Sequence, residues 1–155
     1  MKEIEMKFLV KEENNIKEIS YESQEIKQGY ICDDPERTVR VRLINNHRGF
    51  LTIKGKSKII DGKDSRLEIE KEITKEEAES LFILCKNFIH KIRHKIKSKE
   101  GFVWEVDFFL GKNEGLILAE IELPEEFNIN ELNYPKWIKE NVTGNPEYYN
   151  SNLSK

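Results

Sequence analysis

Apolar and polar residues alternate with a period of two along most of the chain. The alternation recurs in seven stretches bounded by turn-forming residues, which predicts seven β-strands. These stretches are residues 3–8, 39–43, 51–54, 66–73, 91–96, 104–110 and 118–123. Residues 28–31 are predicted to add an eighth strand. The chain is therefore predicted to be mainly β.

Two segments are predicted to be helical instead. Thr74 and Glu77 have the spacing of a capping box, and apolar residues such as Leu81 follow at helical spacing. This pattern predicts an amphipathic helix over residues 75–86. A shorter helix is predicted over residues 135–140, because its proline would occupy the first helical position, where proline is favourable.

The connections between the predicted strands favour antiparallel neighbours. Residues 45–49, 97–101 and 111–115 are rich in Asn, Gly and Lys, as expected of short turns. Closure of an antiparallel sheet into a barrel removes both exposed edges. We therefore predict an α+β, mainly β fold: a closed eight-stranded antiparallel barrel with a few flanking helices, in one domain over residues 1–155. An open sheet is the alternative.

Composition narrows the class of protein. Lys and Arg total 26 and Asp and Glu total 29, so the net charge of -3 argues against nucleic-acid binding by bulk electrostatics. The sequence contains no apolar run long enough to cross a membrane, and it is charged from Lys2 onward, so neither a membrane span nor a signal peptide is expected. Cys32 and Cys85 lie far apart, outside any metal-binding pattern, which is typical of free thiols. These features predict a cytoplasmic protein.

One face of the predicted strands carries almost only charged residues, and the signs are segregated by strand. The acidic members are Glu3, Glu5, Glu68, Glu70, Glu105, Asp107, Glu120 and Glu122. The basic members are Lys7, Arg40, Arg42, Lys54, Lys91 and Arg93. A solvated sheet face would explain charged residues without any function. Like charges two residues apart on one face repel, however, and a divalent cation together with a polyanion would bridge them.

These residues resemble the CYTH domain family, also called triphosphate tunnel metalloenzymes. Glu3-Ile4-Glu5-Met6-Lys7 matches the ExExK motif of that family. Further matches, in the order of the family, are Gln28-Gly29-Tyr30, Arg40-Val41-Arg42, Thr52-Ile53-Lys54-Gly55, Glu68-Ile69-Glu70, Lys91-Ile92-Arg93, Glu105-Val106-Asp107 and Ala119-Glu120-Ile121-Glu122-Leu123. Residues 148–153 are similar to the tail of short bacterial members, so the resemblance covers essentially the whole chain.

The resemblance implies that the charged phase of the barrel points inward and forms a tunnel for a triphosphate. The apolar phase would then face outward, covered by the helix around Leu81 and Phe82 and by the C-terminal segment. Two covering elements are too few to cover the whole apolar outer wall of the barrel. An apolar patch left exposed there would suit a homodimer contact.

The family positions for a bound Mg²⁺ or Mn²⁺ match Glu3, Glu5, Glu120 and Glu122. Carboxylate oxygens are hard ligands that these cations prefer, although each glutamate could instead serve as an interior ion-pair partner. The remaining acidic residues either bind the cation as well or orient the basic side chains. These supporting residues are Glu68, Glu70, Glu105 and Asp107.

A triphosphate carries about four to five negative charges and needs several cationic donors around it. The residues matching that role are Lys7, Arg40, Arg42, Lys54, Lys91 and Arg93. Lys54 or Lys91 would polarise the scissile bond, and Tyr30 would contact a terminal phosphate or the attacking water, or simply fill the interior. On these grounds Arg42→Ala and Arg93→Ala are each expected to weaken triphosphate binding and to stabilise the ligand-free protein.

Two other kinds of site are disfavoured. His90 and His94 have the spacing of a helical metal pair, but they fall at the entry of a predicted strand and lack a third ligand. Together with His47 they are expected at the surface, as are Lys58, Lys95, Lys97 and Lys99. The sequence contains no GxxxxGK phosphate loop, so a P-loop nucleotide site is excluded.

The family includes class IV adenylate cyclases and thiamine, RNA and inorganic triphosphatases, so the fold does not determine the substrate. Short connections leave little chain for a nucleoside pocket. We therefore predict metal-dependent hydrolysis of inorganic tripolyphosphate to phosphate and pyrophosphate. The alternatives are an adenylate cyclase, a nucleoside or thiamine triphosphatase, or a non-catalytic polyphosphate-binding module.

Overall fold

The computed structural model describes residues 1–11 and 15–155. Its ten strands are β1 (Lys2–Val10), β2 (Glu22–Asp34), β3 (Arg37–Ile44), β4 (Arg48–Gly55), β5 (Lys58–Ile60), β6 (Lys63–Ile73), β7 (Asn87–Lys97), β8 (Val103–Phe109), β9 (Ile117–Glu122) and β10 (Ile138–Asn141). Its α-helices are α1 (Ile16–Ile19), α2 (Lys75–Phe82) and α3 (Asn150–Leu153). No helix in the described part of the chain is both long and apolar enough to span a membrane.

Eight of the strands close into an antiparallel barrel, as the sequence predicts. Their order around the barrel is β1-β9-β8-β7-β2-β3-β4-β6, and pairing of β6 with β1 closes the ring. The other two strands lie outside it. β5 pairs antiparallel with the first residues of β6, and β10 pairs with the end of β1 that β6 does not reach.

The two phases of the strands face opposite sides of the barrel wall. Odd-numbered residues of β1 point into the barrel, and so do the even-numbered residues of β9, which brings Lys7 opposite Glu120. The outward phase forms a hydrophobic core against the chain that follows β9. Trp104 packs edge-on against Trp137 in this core, and Ile16 of α1 is fully buried there. The charged interior is thus enclosed by apolar layers on the outside of the barrel.

A second outer core lies beneath α2. Ala78 of this helix is buried against Val41 and Leu43, with Leu81 and Phe82 packed at its edge. The helix ends at Phe82, four residues before the predicted end at 86, because the chain turns there and Cys85 packs onto β2. Gly29 permits this close approach, since a Cβ at that position would collide with the Cys85 sulfur.

The predicted helix over residues 135–140 is wrong. Ile138 and Asn141 begin and end β10, which pairs antiparallel with Val10 and Phe8. The pairing of β6 with β1 covers only residues 2–5, so the backbone groups of the last part of β1 need another partner. Tertiary pairing therefore overrides the local signal for a helix.

His94 is also misplaced by the sequence analysis. Its exposed fraction is 8%, because Ser20 and Phe108 pack around it: the Ser20 hydroxyl lies 3.2 Å from Nδ1 and the Phe108 ring meets the imidazole edge-on. Burial lowers its pKa. The prediction holds for His47, which is exposed, whereas His90 is half-buried beside Glu25. Of the four lysines expected at the surface, Lys95 is half-buried and the other three are exposed.

One end of the barrel is filled with apolar side chains. At this end the inward positions change from charged to apolar on adjacent strands, as with Ile89, Phe109 and Leu118. Tyr148 and Leu153 from the C-terminal segment pack against this cluster. The last residues therefore enter the end of the barrel, instead of lying only on its outer wall.

Some outward-facing apolar residues remain uncovered. Ile53 and Ile69 are paired across β4 and β6, and both are exposed, as is Leu67 further along β6. The sequence analysis expects such a surface on the outer wall. Homodimer formation through it stays a prediction.

Replacing Thr74 by alanine should lower the free energy of unfolding by about 1 kcal/mol, which corresponds to a fall in Tm of about 2–4 °C. The Thr74 hydroxyl accepts a hydrogen bond of 3.0 Å from the Glu77 amide, and the Glu77 carboxylate accepts one of 2.9 Å from the Thr74 amide. Thermal unfolding checks this, with Ser23→Ala at an exposed position of β2 as a comparison away from α2. An unchanged Tm would contradict the cap.

Candidate active site

The inward phase of the barrel lines a cavity of about 200 Å³, called the central cavity below. Each predicted site residue except Asp107 lines it, and the buried Asp107 bonds to two of the lining side chains. The predicted members of the lining are Glu3, Glu5, Lys7, Tyr30, Arg40, Arg42, Lys54, Glu68, Glu70, Lys91, Arg93, Glu105, Glu120 and Glu122. The fold thus brings together residues that are up to 119 positions apart, from Glu3 to Glu122.

The sequence analysis missed six residues that line the same cavity. They are Thr38, Asp64, Arg66, Tyr149, Asn150 and Ser151. Asp64 and Arg66 have the parity of Glu68 on the same strand, so the period of two could have identified them. The three C-terminal residues carry no such signal, because only the tertiary position of α3 brings them to the cavity.

A buried network of charges surrounds Asp107. The Asp107 carboxylate accepts hydrogen bonds of 2.8 and 2.9 Å from the Arg93 guanidinium and lies 2.8 Å from the Lys91 ammonium. Burial opposes ionisation of Asp107, but Arg93 and Lys91 outweigh it and hold its pKa below the ordinary value. Glu105 is a further partner of Arg93, at 3.2 Å. Asp107 therefore orients two basic side chains, as expected for a supporting residue.

Two arginines face the cavity with fewer partners. Arg42 donates hydrogen bonds of 3.1 and 3.0 Å to the Gln28 amide oxygen, and burial followed by repulsion from Arg40 lowers its pKa to about 10. Arg40 donates to Thr52 and lies 3.6 Å from Glu70. The Nε donor of Arg40 is buried without an acceptor among the described residues. Buried donors normally have partners, so this donor indicates a place for an anionic ligand.

Lys54 and Lys7 complete the basic set. The Lys54 ammonium donates a 2.7 Å hydrogen bond to Glu3 and lies 3.5 Å from Glu68. Burial alone would raise the pKa of Glu3, but Lys54 lowers it below the ordinary value. Lys7 donates to the Tyr148 carbonyl oxygen at 3.0 Å. Both lysines are thus fixed at the cavity wall.

The glutamates on β1 and β9 are crowded. Glu5 has an exposed fraction of 8%, and burial followed by repulsion from Glu120 and Glu3 raises its pKa well above the ordinary value. Burial alone would raise the pKa of Glu120, but Lys7 and Arg93 outweigh it and hold the pKa well below the ordinary value. Burial and four neighbouring carboxylates raise the pKa of Glu122 to about 7. A cation placed among these groups would relieve their repulsion.

The donor set suits a hard divalent cation. Glu5 and Glu122 offer carboxylate oxygens that carry no lysine or arginine within ion-pair distance among the described residues. Residues 1–11 and 15–155 contain no group of three or more Asp, Glu, His or Cys side chains placed to hold a metal ion together. Mg²⁺ usually takes one or two carboxylates and completes its shell with water and substrate phosphates. The geometry fits such a shared site better than an all-protein one.

Known proteins share this sequence over nearly its whole length. A profile of the CYTH domain matches residues 1–143. An inorganic triphosphatase from Acetivibrio thermocellus is 49% identical over 159 residues, covering 99% of this chain and 94% of that protein. An inorganic triphosphatase from Nitrosomonas europaea is 30% identical over 156 residues, covering 99% of this chain and 97% of that protein.

Solved structures include chains with a similar fold. The crystal structure of an inorganic triphosphatase superposes with a TM-score of 0.66 at 27% identity, covering 98% of this chain and 93% of that chain. A Hippeastrum protein described as an adenylyl cyclase with dominant triphosphatase activity superposes with a TM-score of 0.66 at 15% identity, covering 79% and 80%. The second likeness concerns the fold alone. With its inward charged phase and a domain match over most of its length, the chain belongs to the CYTH domain family.

Proposed function

We propose that this protein is a metal-dependent inorganic triphosphatase that hydrolyses tripolyphosphate to phosphate and pyrophosphate. The observation that carries the proposal is the small central cavity, in which seven basic side chains face several carboxylates. Pockets for drug-sized ligands usually measure about 300–1,000 Å³. A cavity of about 200 Å³ suits a bare triphosphate better than a nucleotide.

The basic side chains would bind the phosphate chain. Arg40 and Arg42 present planar guanidinium groups suited to paired contacts with phosphoryl oxygens. The Nε donor of Arg40, which has no acceptor among the described residues, would gain one from such an oxygen. Arg42 has only the neutral Gln28 amide as its hydrogen-bond partner in the described structure, so its charge is available to the substrate. These features support anion binding at the β2, β3 and β4 side of the barrel.

The acidic side chains would hold Mg²⁺ or Mn²⁺. Glu5 and Glu122 are the foremost candidates, with Glu120 and Glu3 close enough to interact electrostatically with them. When bound, the cation would neutralise phosphate charge and align the phosphate chain. The protein must release the extra protons that Glu5 and Glu122 retain, so binding is expected to be stronger at higher pH.

Hydrolysis needs little covalent chemistry from the protein. A water molecule attacks the terminal phosphorus, the bond to the bridging oxygen breaks, and pyrophosphate leaves. Burial, opposed by Asp107, lowers the pKa of Lys91 to about 7, so Lys91 can supply a proton to a leaving oxygen near neutral pH. Lys54 keeps its charge, because Glu3 outweighs burial and raises its pKa. We assign the leaving-group role to Lys91, and Tyr30 remains a candidate for positioning water.

Inorganic tripolyphosphate should be cleaved with a kcat/KM at least about 100-fold above that for ATP, a difference of about 2.7 kcal/mol in transition-state stabilisation. The cavity would enclose the phosphate chain, whereas a nucleoside would have to protrude from it. The measurement is phosphate and pyrophosphate release from both substrates with Mg²⁺, with Mn²⁺ and with EDTA. Pyrophosphate alone is assayed in the same way.

Three results would contradict the proposal. Turnover that persists in EDTA would exclude the metal requirement. Abundant cyclic AMP from ATP, with negligible phosphate from tripolyphosphate, would favour a cyclase. Tight binding of tripolyphosphate without any cleavage would favour a polyphosphate-binding module.

A further inference from the structure

A contact between the C-terminal helix and the barrel wall lies beside the proposed leaving-group lysine. The ammonium of Lys91 donates a 2.9 Å hydrogen bond to the side-chain oxygen of Asn150, the first residue of α3. The two residues are 59 positions apart in sequence. From this geometry we propose that Asn150 is a positioning residue, which holds the Lys91 ammonium in the direction that the reaction requires. This inference rests on the proposed function.

The surroundings of Lys91 leave little freedom for its ammonium. Its exposed fraction is 1%, and the group also donates to Asp107 at 2.8 Å and lies 5.6 Å from the centre of the Phe109 ring. An ammonium has three N–H donors. Asp107 and Asn150 take two of them, which leaves one for a phosphate oxygen. The direction of the third donor is then determined by the first two.

A neutral amide suits this position better than a carboxylate. Asp107 already supplies a negative charge to Lys91 and shares it with Arg93. A second carboxylate at position 150 would cancel more of the positive charge and would repel a polyanion entering the cavity. The Asn150 oxygen satisfies a buried donor without adding charge. It can therefore orient Lys91 while leaving the cavity attractive to phosphate.

The C-terminal segment is anchored well enough to hold Asn150 in place. Tyr148 and Leu153, on either side of Asn150, pack into the apolar end of the barrel. The Tyr148 carbonyl accepts from Lys7, and the Leu153 carbonyl accepts a 2.9 Å hydrogen bond from the Asn113 amide group. Because contacts on both sides fix the segment, the Asn150 side chain does not depend on Lys91 alone for its position.

The test is a double-mutant cycle between Asn150→Leu and Lys91→Met, with tripolyphosphate as substrate. Leucine has a similar size but accepts no hydrogen bond. Asn150→Leu should lower kcat by about 10–100-fold, the usual effect of removing an orienting partner, while KM changes by less than about threefold. In the Lys91→Met background the same change should have little further effect, because the group it positions is gone.

Asn152→Leu is the matched control. Asn152 lies on the same helix and donates a 2.7 Å hydrogen bond to the Pro146 carbonyl, so its replacement disturbs the tail without touching Lys91. Its effect on kcat should be small and should add to that of Lys91→Met. If Asn150→Leu behaves in the same additive way, Asn150 has only a structural role and the inference fails.

A second readout does not depend on turnover. In the ligand-free protein, the ¹³Cε and ¹⁵Nζ signals of Lys91, assigned by their loss in Lys91→Met, should shift in Asn150→Leu and remain in place in Asn152→Leu. If these signals respond but the wild-type protein does not cleave tripolyphosphate, the proposed function fails and the positioning contact stands. If the Lys91 signals do not respond to Asn150→Leu, the contact is absent and the inference is overturned.

Discussion

Replacing Glu5 by glutamine is expected to lower kcat/KM for tripolyphosphate by more than about 100-fold, beyond the 10–100-fold typical of losing a residue that only supports a ligand. Glu5 lies opposite Glu122 on the neighbouring strand and offers an oxygen without a basic partner at ion-pair distance in the part of the chain that the structure describes. Glutamine keeps the shape of the side chain but removes the negative charge. The variant should also lose stabilisation by Mg²⁺, which for wild type is about 2.7 kcal/mol at a cation concentration 100 times the Kd.

The same variant should be at least as stable as wild type when no metal is present. Burial first, and then Glu120 and Glu3, raise the pKa of Glu5 well above its ordinary value in the folded state. The folded protein thus holds a proton that the unfolded chain releases, so wild-type stability falls as the pH rises from the ordinary glutamate pKa toward the raised one. Glutamine does not titrate. The advantage of the variant should therefore grow over that pH range.

Thermal unfolding between pH 5 and pH 8, with EDTA and with added Mg²⁺, measures both effects. Glu79→Gln on the exposed side of α2 is the control, and it should leave activity and metal response unchanged. A Glu5→Gln protein that keeps its activity and its response to Mg²⁺ would remove Glu5 from the metal site. A variant that is much less stable in EDTA at pH 8 would show that Glu5 instead serves as an ion-pair partner.

Arg42→Met and Arg93→Met are expected to change the stability of the ligand-free protein in opposite directions. Arg42 is a half-buried cation bonded to the neutral Gln28, so methionine should raise the free energy of unfolding by about 1 kcal/mol, a gain in Tm of about 2–4 °C. Arg93 forms a bidentate ion pair with Asp107. Its loss should cost about 3–5 kcal/mol, because Asp107 remains buried beside Lys91 alone.

This expectation differs from the one that the sequence supports, in which both substitutions stabilise the protein. The structure separates the two arginines by their partners. Both variants should still bind tripolyphosphate about 10–100-fold more weakly, since hydrogen bonds to charged groups contribute about 1.5–3 kcal/mol.

Unfolding in EDTA and calorimetric binding of tripolyphosphate in the presence of Mg²⁺ check these two properties. Arg48→Met is a matched control, because Arg48 pairs with Glu72 on the exposed surface of the barrel. A destabilised Arg42→Met protein would mean that the Gln28 contact outweighs the cost of burying the arginine. Unchanged affinity in both variants would place the two side chains outside the substrate site.

Local patterns in the sequence determine most of the strands and which of their residues share a face. Alternation of apolar and charged residues places Glu3, Glu5 and Lys7 on one side of β1, whatever the rest of the chain does. The capping box at Thr74 starts α2 through contacts only three residues apart. These features depend on neighbours in sequence, so they can be predicted without the fold. The order of the charged pairs in the chain likewise carries the family resemblance.

Contacts between distant residues were decided only by the tertiary structure. The segment 135–140 contains a helix-like start, yet β1 has free backbone groups and Ile138–Asn141 pairs with them as a strand. The hydrogen bond between Lys91 and Asn150 depends on which side chains meet inside the barrel. The same holds for Arg42, which bonds to a neutral amide, and for Arg93, which bonds to a carboxylate. Alternation determines which face a residue occupies, but partners across the cavity are set by the stagger of the closed sheet and by the place where the C-terminal segment packs.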